Sequence, residues 1–230
     1  MLHRDGLMLV IDKPAGLPVH RGPKGGPNLE ASFDALRFGL PRPPVLAHRL
    51  DKDASGCLVL GRHRKATASL GLLFKHGKIA KTYWTVVEGG PAADEGTIDL
   101  PLGRLNAERG WWQKPDPQGQ QAVTNWKVLG RNGGLTWLAM EPVTGRTHQL
   151  RVHAASQGWP IVGDNIYGTQ ASLRRLRNEK FIPRFGEPRL HLHSREIWIP
   201  ISKNKEPVHV VAPAPEHMHE RLRACGWNGE

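Results

Sequence analysis

The chain has 230 residues, 39% hydrophobic and 23% charged, enough to bury a sizeable core as one large domain or two small ones. Its 32 Lys and Arg against 21 Asp and Glu leave a formal net charge of +11, which favours a polyanionic partner. No apolar run approaches the ~20 residues of a membrane-spanning helix, no basic amphipathic helix points to a membrane surface, and the start MLHRDGLMLVIDKP lacks a signal-peptide cleavage pattern. Nucleic acid is the partner that charge leaves standing.

The two cysteines, Cys57 and Cys225, are too few for a disulfide framework, and neither has a Cys or His at zinc-like spacing. In chain order, LMLVIDKPAGLPV reads as a short strand, a Lys-Pro turn and a second extended piece, and GPKGGPN as a loop. LEASFDALRFGL, residues 29–40, has near-helical apolar spacing and meets Pro41. CLVLGR is a buried-strand candidate, HRKATASLGLLFKHGK a helix, and IAKTYWTVVEG a strand rich in β-branched and aromatic residues. Residues 90–121 are rich in Gly, Pro and polar side chains. AVTNWKVLG and GLTWLAMEPV alternate as a hairpin around the turn RNGG. GRTHQLRVHAASQGW predicts a helix ending near Gly158, PIVGDNIYG a strand and turn, and RLHLHSREIWIPI and EPVHVVAPAP the closing strands. Strand pairs with few helices, no repeat and no linker predict one α+β domain with a mixed, mostly antiparallel sheet flanked by helices and loops.

Asp51 stands in HRLDKDASG, residues 48–56, between Arg49 and Lys52 and ahead of a Gly-closed turn. An aspartate between two apolar segments is ordinarily a turn or capping residue. A catalytic aspartate instead needs a fixed cation, best an arginine from elsewhere in a bidentate pair. GRTHQLRVH supplies Arg146 and Arg151, and on a helix Arg151 would share a face with Thr147 and His148. Tyr83, beside Lys81 in KTYW, taken alone is a packing tyrosine with a wet hydroxyl. GWWQKPDPQGQQ reads as a hairpin tip, and Trp111 and Trp112 beside Lys114 suit stacking on unpaired bases as well as they suit a core. His148 and His153 are five apart, a poor metal-ligand spacing, and His191 and His193 have no carboxylate close by, so no metal is expected.

Taken together and in order, HRLDKDASG, KTYW, TGRTHQLRVHAASQGWPIVGDNIYG and RLHLHS closely resemble the signature segments of the RluA-type pseudouridine synthases. VIDKPAGLPVH is similar to that family's start and VHVVAPAP to its final strand, so the resemblance runs from about Leu7 to Pro215. Two departures are small: Ala54 stands where the family commonly has Thr, and Ser194 where it often has Ala.

The resemblance implies a single catalytic domain over 1–230, with no separate N-terminal RNA-binding domain and no cofactor. The implied reaction is isomerisation of uridine to pseudouridine in ribosomal or transfer RNA. By motif position Asp51 matches the essential aspartate and Arg151 the arginine that pairs with it. Tyr83 matches the tyrosine that stacks on the uracil, and Arg49 the arginine that fills the stack vacated by a flipped base. His48, Arg146, Lys81, Trp111 and Trp112 join Arg49 as candidates for contact with RNA. Gly163-Asp164 and Tyr167 read as structural supports, and Lys13 and Pro14 as shaping the N-terminal turn. The accompanying expectations are a cytoplasmic monomer with no membrane and no metal. The competing readings are a catalytically silent RNA-binding protein or chaperone on the same scaffold, and a metal-dependent hydrolase using the histidines.

Overall fold

The computed structural model describes residues 1–22, 25–106, 111–169, 190–202 and 204–229. Part of the GPKGGPN loop, Gly110 of the tryptophan segment and Arg189 of RLHLHS lie outside the described residues. The strands are β1 (His3–Arg4), β2 (Met8–Lys13), β3 (Val45–Leu46), β4 (Ser55–Gly61), β5 (Ala80–Glu88), β6 (Glu95–Asp99), β7 (Leu102–Arg104), β8 (Gln113–Pro115), β9 (Val123–Asn132), β10 (Leu135–Pro142), β11 (Leu192–Ile199) and β12 (Val208–Val211). The helices are a 3₁₀ turn at Leu29–Leu36, α1 (Arg64–Lys75), α2 (Gln149–Ser156) and α3 (Glu216–Ala224). The chain forms two compact units, whose boundaries fall inside β5 at Thr82 and inside β11 at Ser194.

The first unit holds residues 1–81 and 194–214. Its strand order is β1-β2-β4-β11, with β3 also on β4 and β12 on β11. Every residue of β4 is buried, as its unalternating CLVLG sequence demands of a strand covered on both faces. One face carries Met8 and Val10, Cys57 and Val59, and Ile197 and Ile199, two apart on their strands as a pleat requires. Leu70 of α1 and Ile79 close over them. Each such aliphatic side chain contributes about 1.5–3 kcal/mol by leaving water. The β2–β4 pairing is antiparallel and sets Lys13 opposite Gly56. That register places the end of β2 against the turn that follows Asp51.

The second unit holds residues 82–169, 190–193 and 215–229. Its strand order is β5-β10-β9-β6, all antiparallel, with β7–β8 as a separate hairpin. The β9–β10 turn rests on Gly133 and Gly134, with φ of 55° and 86°. Two consecutive positive φ values match the twist of a tight hairpin, and only glycine takes both without strain. Trp84, Trp137 and Trp227 pack edge to face, with centroids 4.8 and 6.4 Å apart.

The α+β architecture with mostly antiparallel pairing matches the sequence expectation; four details differ. The helix predicted over 29–40 is a 3₁₀ helix that stops at Leu36, because Phe33 is the only side chain it buries. The helix predicted from Gly145 begins at Gln149, because the Gln149 carboxamide oxygen takes hydrogen bonds from the Arg146 N–H (3.0 Å) and the Thr144 hydroxyl (2.7 Å), holding that stretch as a turn. β6 lies in the Gly- and Pro-rich stretch, where composition hid it, and the hairpin expected around the tryptophans is the β7–β8 pair. α3 was not anticipated; it buries Met218 and Leu222, four apart on one face.

Candidate active site and RNA interface

Asp51 lies in the first unit, half-buried, on the loop between β3 and β4. What holds that loop is Lys13, a lysine with no exposed surface. Its ammonium donates to the carbonyls of Pro14 (2.8 Å), Lys52 (3.0 Å) and Ala54 (2.8 Å). Lys52 and Ala54 both follow Asp51, so two charge-assisted hydrogen bonds pin the backbone on its C-terminal side and the third ties them to the end of β2. Burial pushes the Lys13 amine down to about 8, against the opposing pull of Asp53 and Asp51. The loop also closes through the Ala54 N–H to the Asp51 carbonyl at 3.2 Å. Gly56 ends it with φ of 103°, where a Cβ would overlap the Ser194 backbone. Sequence reading gave Lys13 only a turn-shaping part. Its burial at the end of a strand, where lysine is normally exposed, is visible only in three dimensions.

Arg151 lies in the second unit, in the first turn of α2, and is 3% exposed. Its Nε donates to Asp164 Oδ2 at 2.7 Å and its Nη2 to Oδ1 at 2.8 Å. Burial pushes the Asp164 carboxyl up. The Arg151 hydrogen bonds and charge, with the N–H groups of Tyr167 and Ile166, outweigh that and hold it below the ordinary carboxylate value. Asp164 thus takes the side edge of the guanidinium. A second carboxylate or a phosphate can be met only end-on, through the outer hydrogens of Nη1 and Nη2. Asp164 and Tyr167, read from sequence as supports, therefore have a definite load, which is Arg151. Tyr167 lies under the guanidinium, 5.3 Å from Cζ to ring centroid.

His148 is not on the helix face with Arg151, as its spacing suggested. It precedes α2 in a left-handed conformation, φ 54° and ψ 19°. A non-glycine residue pays about 1–3 kcal/mol for that. The strain puts Nε2 3.5 Å from Arg151 Nη1 and Nδ1 2.8 Å from the Tyr167 hydroxyl. Tyr83, also in the second unit, is buried on β5 opposite Met140.

The candidates for RNA contact separate by exposure. Arg49 and Arg146 are exposed, and Arg146 Nε donates to the Gln121 carbonyl at 2.9 Å. Trp111 is 56% exposed, while Trp112 is half-buried and meets it edge-on at 5.6 Å. Two candidates sit differently from expectation. His48 stacks on Phe74 at 4.1 Å, and its Nε2 accepts the Val59 N–H at 3.0 Å. Burial and the neighbouring Lys81 push its imidazole down to about 3. Through that hydrogen bond its neutral ring props the start of the Asp51 loop. Lys81 lies 5.9 Å over the same Phe74 ring, and burial lowers its amine as well. His153, weighed as a metal ligand, spends both nitrogens on the Thr124 hydroxyl (2.9 Å) and the Leu100 carbonyl (3.0 Å). Among the described residues no group of three His, Cys, Asp or Glu is placed to hold a metal, and no helix is long and apolar enough to cross a membrane.

The family model described as RNA pseudouridylate synthase matches residues 7–156. An uncharacterized RNA pseudouridine synthase of Zymomonas mobilis is 43% identical over 94% of each chain. The ribosomal large subunit pseudouridine synthase D of Xanthomonas campestris is 36% identical over 97% of this chain and 68% of its own. The solved structure of human RNA pseudouridylate synthase domain containing 4 superimposes with a TM-score of 0.76, at 28% identity, over 97% of this chain and 92% of that one. With its ordered motifs, its α+β fold and these matches, the chain belongs to the RNA pseudouridylate synthase family and is an isomerase acting on RNA.

Proposed function

We propose that the chain converts a uridine of ribosomal RNA to pseudouridine, with Asp51 as the essential carboxylate and Tyr83 and Arg151 completing the catalytic set. The ribosomal substrate is supported by relatives named as ribosomal large subunit pseudouridine synthases in Vibrio cholerae and Xanthomonas campestris. In the reaction the bond from ribose C1′ to uracil N1 breaks, the base turns, and C1′ joins C5. The C5 proton goes to solvent and N1 gains one, so the product is an isomer. The target atoms lie inside a base stack, and extruding the nucleotide costs a few kcal/mol. Arg49, exposed beside Asp51, would stack in the gap, and Tyr83 would face the flipped uracil. The exposed Trp111, with Arg146 and the excess of cations, would hold flanking nucleotides and phosphates.

The observation that carries this reading is the anchoring of the Asp51 loop by Lys13. A buried ammonium spent on three backbone carbonyls is costly, and it suits a loop whose one half-buried carboxylate must be held still. That Asp51, Tyr83 and Arg151 serve the same nucleotide rests on the motif match. The finer assignments carried with it are a monomer that needs no metal and acts in the cytoplasm, where a ribosomal substrate is made. Chromatographic mass and metal analysis of the purified protein test the first two.

The test of function is tritium release from RNA labelled at uridine C5, comparing the wild type with Asp51→Asn on ribosomal and on transfer RNA. Release from ribosomal RNA by the wild type alone is expected. Release from transfer RNA only would move the substrate class, and equal release by Asp51→Asn would remove Asp51 from the chemistry.

A further inference from the structure

The β7–β8 hairpin leads into an exposed aromatic pair, and its backbone is tied to one side chain of the GDNIY turn. The Trp111 indole meets the His148 ring edge-on at 5.6 Å. His148 Nδ1 lies 2.8 Å from the Tyr167 hydroxyl, and the Gln113 N–H donates to that same hydroxyl at 2.9 Å. The tyrosine ring in turn lies against the Arg151 guanidinium. One side chain thus touches the base of the hairpin, the strained residue ahead of α2, and the buried arginine.

We propose that Tyr167 is a positioning residue that couples Trp111 and Gln113 to Arg151, so that RNA seated on the hairpin sets the orientation of the arginine. The inference rests on the assignment of Arg151 to the catalytic set. Asp164 fixes the guanidinium along one edge and leaves its tilt about that edge to whatever meets its face. The Tyr167 ring is that face contact. Its hydroxyl carries the hairpin backbone, so a shift of Trp111 and Gln113 reaches the ring through two polar contacts. The left-handed φ of His148 fits this role, since relaxing it would swing the imidazole away from both Trp111 and Tyr167.

A merely structural Tyr167 is the competing account, because its ring also packs against the cluster of Leu102, Ala122 and Val152. Tyr167→Phe keeps the ring and that packing and removes only the hydroxyl. On RNA turned over by the full chain, kcat should fall about tenfold, with KM within roughly twofold, because the arginine is misaligned and not lost. Gln113→Pro deletes the N–H without touching Tyr167 and should give the same split. Trp111→Ala should raise KM and lower kcat, and combined with Tyr167→Phe it should lower kcat no further than Tyr167→Phe alone, as expected for groups acting in series. Wild-type kcat and KM in Tyr167→Phe would overturn the proposal. So would kcat losses that multiply in the double variant, or a loss explained wholly by a smaller folded fraction. A wild type that turns over no RNA would overturn the functional reading, and this inference with it.

Discussion

Replacing Lys13 with methionine separates the stability of the fold from the placement of Asp51. The methionine keeps most of the stem volume and removes the ammonium with its three hydrogen bonds at 2.8, 3.0 and 2.8 Å. The Ala54 bond is fully buried, and leaving that carbonyl unpaired costs about 1–3 kcal/mol. The Pro14 and Lys52 bonds are only partly buried, and water can replace them. Against this stands relief of a buried charge: bringing an amine from 10.5 to about 8 marks a penalty of about 3 kcal/mol on its charged form. The two effects nearly cancel, so the denaturant midpoint should move little, within about 2 kcal/mol in either direction. Turnover should not be spared. Freed of its clamp, the 51–54 loop can shift by an ångström, and misplacement on that scale costs about a hundredfold. Single-turnover tritium release on the folded variant, beside its urea melt, reads both quantities. Turnover within threefold of wild type would refute the clamp, and so would a loss matched by unfolding.

Gly56→Ala should destabilise the first unit by about 3 kcal/mol or more, since the residue has φ of 103° and its new methyl would overlap the Ser194 backbone; a lowered melting temperature checks it. Asp164→Asn strips the charge from a pair whose arginine is 3% exposed and should cost about 3–5 kcal/mol. The same pair has a pH signature. Because the folded carboxyl lies below its unfolded value, its stabilisation is present above about pH 4 and is lost as pH falls through the folded value, so acid melts of the wild type and Asp164→Asn should converge there. Lys13 works at the other end. Its folded amine sits below its unfolded value, so between about pH 8 and 10.5 the unfolded chain binds the extra proton and the stability of the wild type relative to Lys13→Met should rise with pH. Trp111→Ala should weaken RNA binding by about 1–3 kcal/mol while leaving the salt dependence of affinity unchanged, because it removes stacking and no phosphate contact.

The sequence by itself was enough for the family and the α+β class, because these live in local patterns. The run CLVLG reads as a buried strand and RNGG as a hairpin turn, and the ordered motifs around Asp51, Tyr83 and Arg151 carry the family resemblance in residue identity. It missed what depends on distant partners. β6 is short and polar, and pairing with β9, not propensity, makes it a strand. α2 starts four residues later than its pattern because a glutamine side chain takes over the preceding turn. The stacking of His48 on Phe74, 26 residues on in the chain, is likewise invisible in HRLDKDASG. Lys13 and Asp164 look like ordinary surface charges in a linear string. Only the tertiary structure, by withdrawing both from water, obliges each to be satisfied, Lys13 by the carbonyls of the Asp51 loop and Asp164 by Arg151.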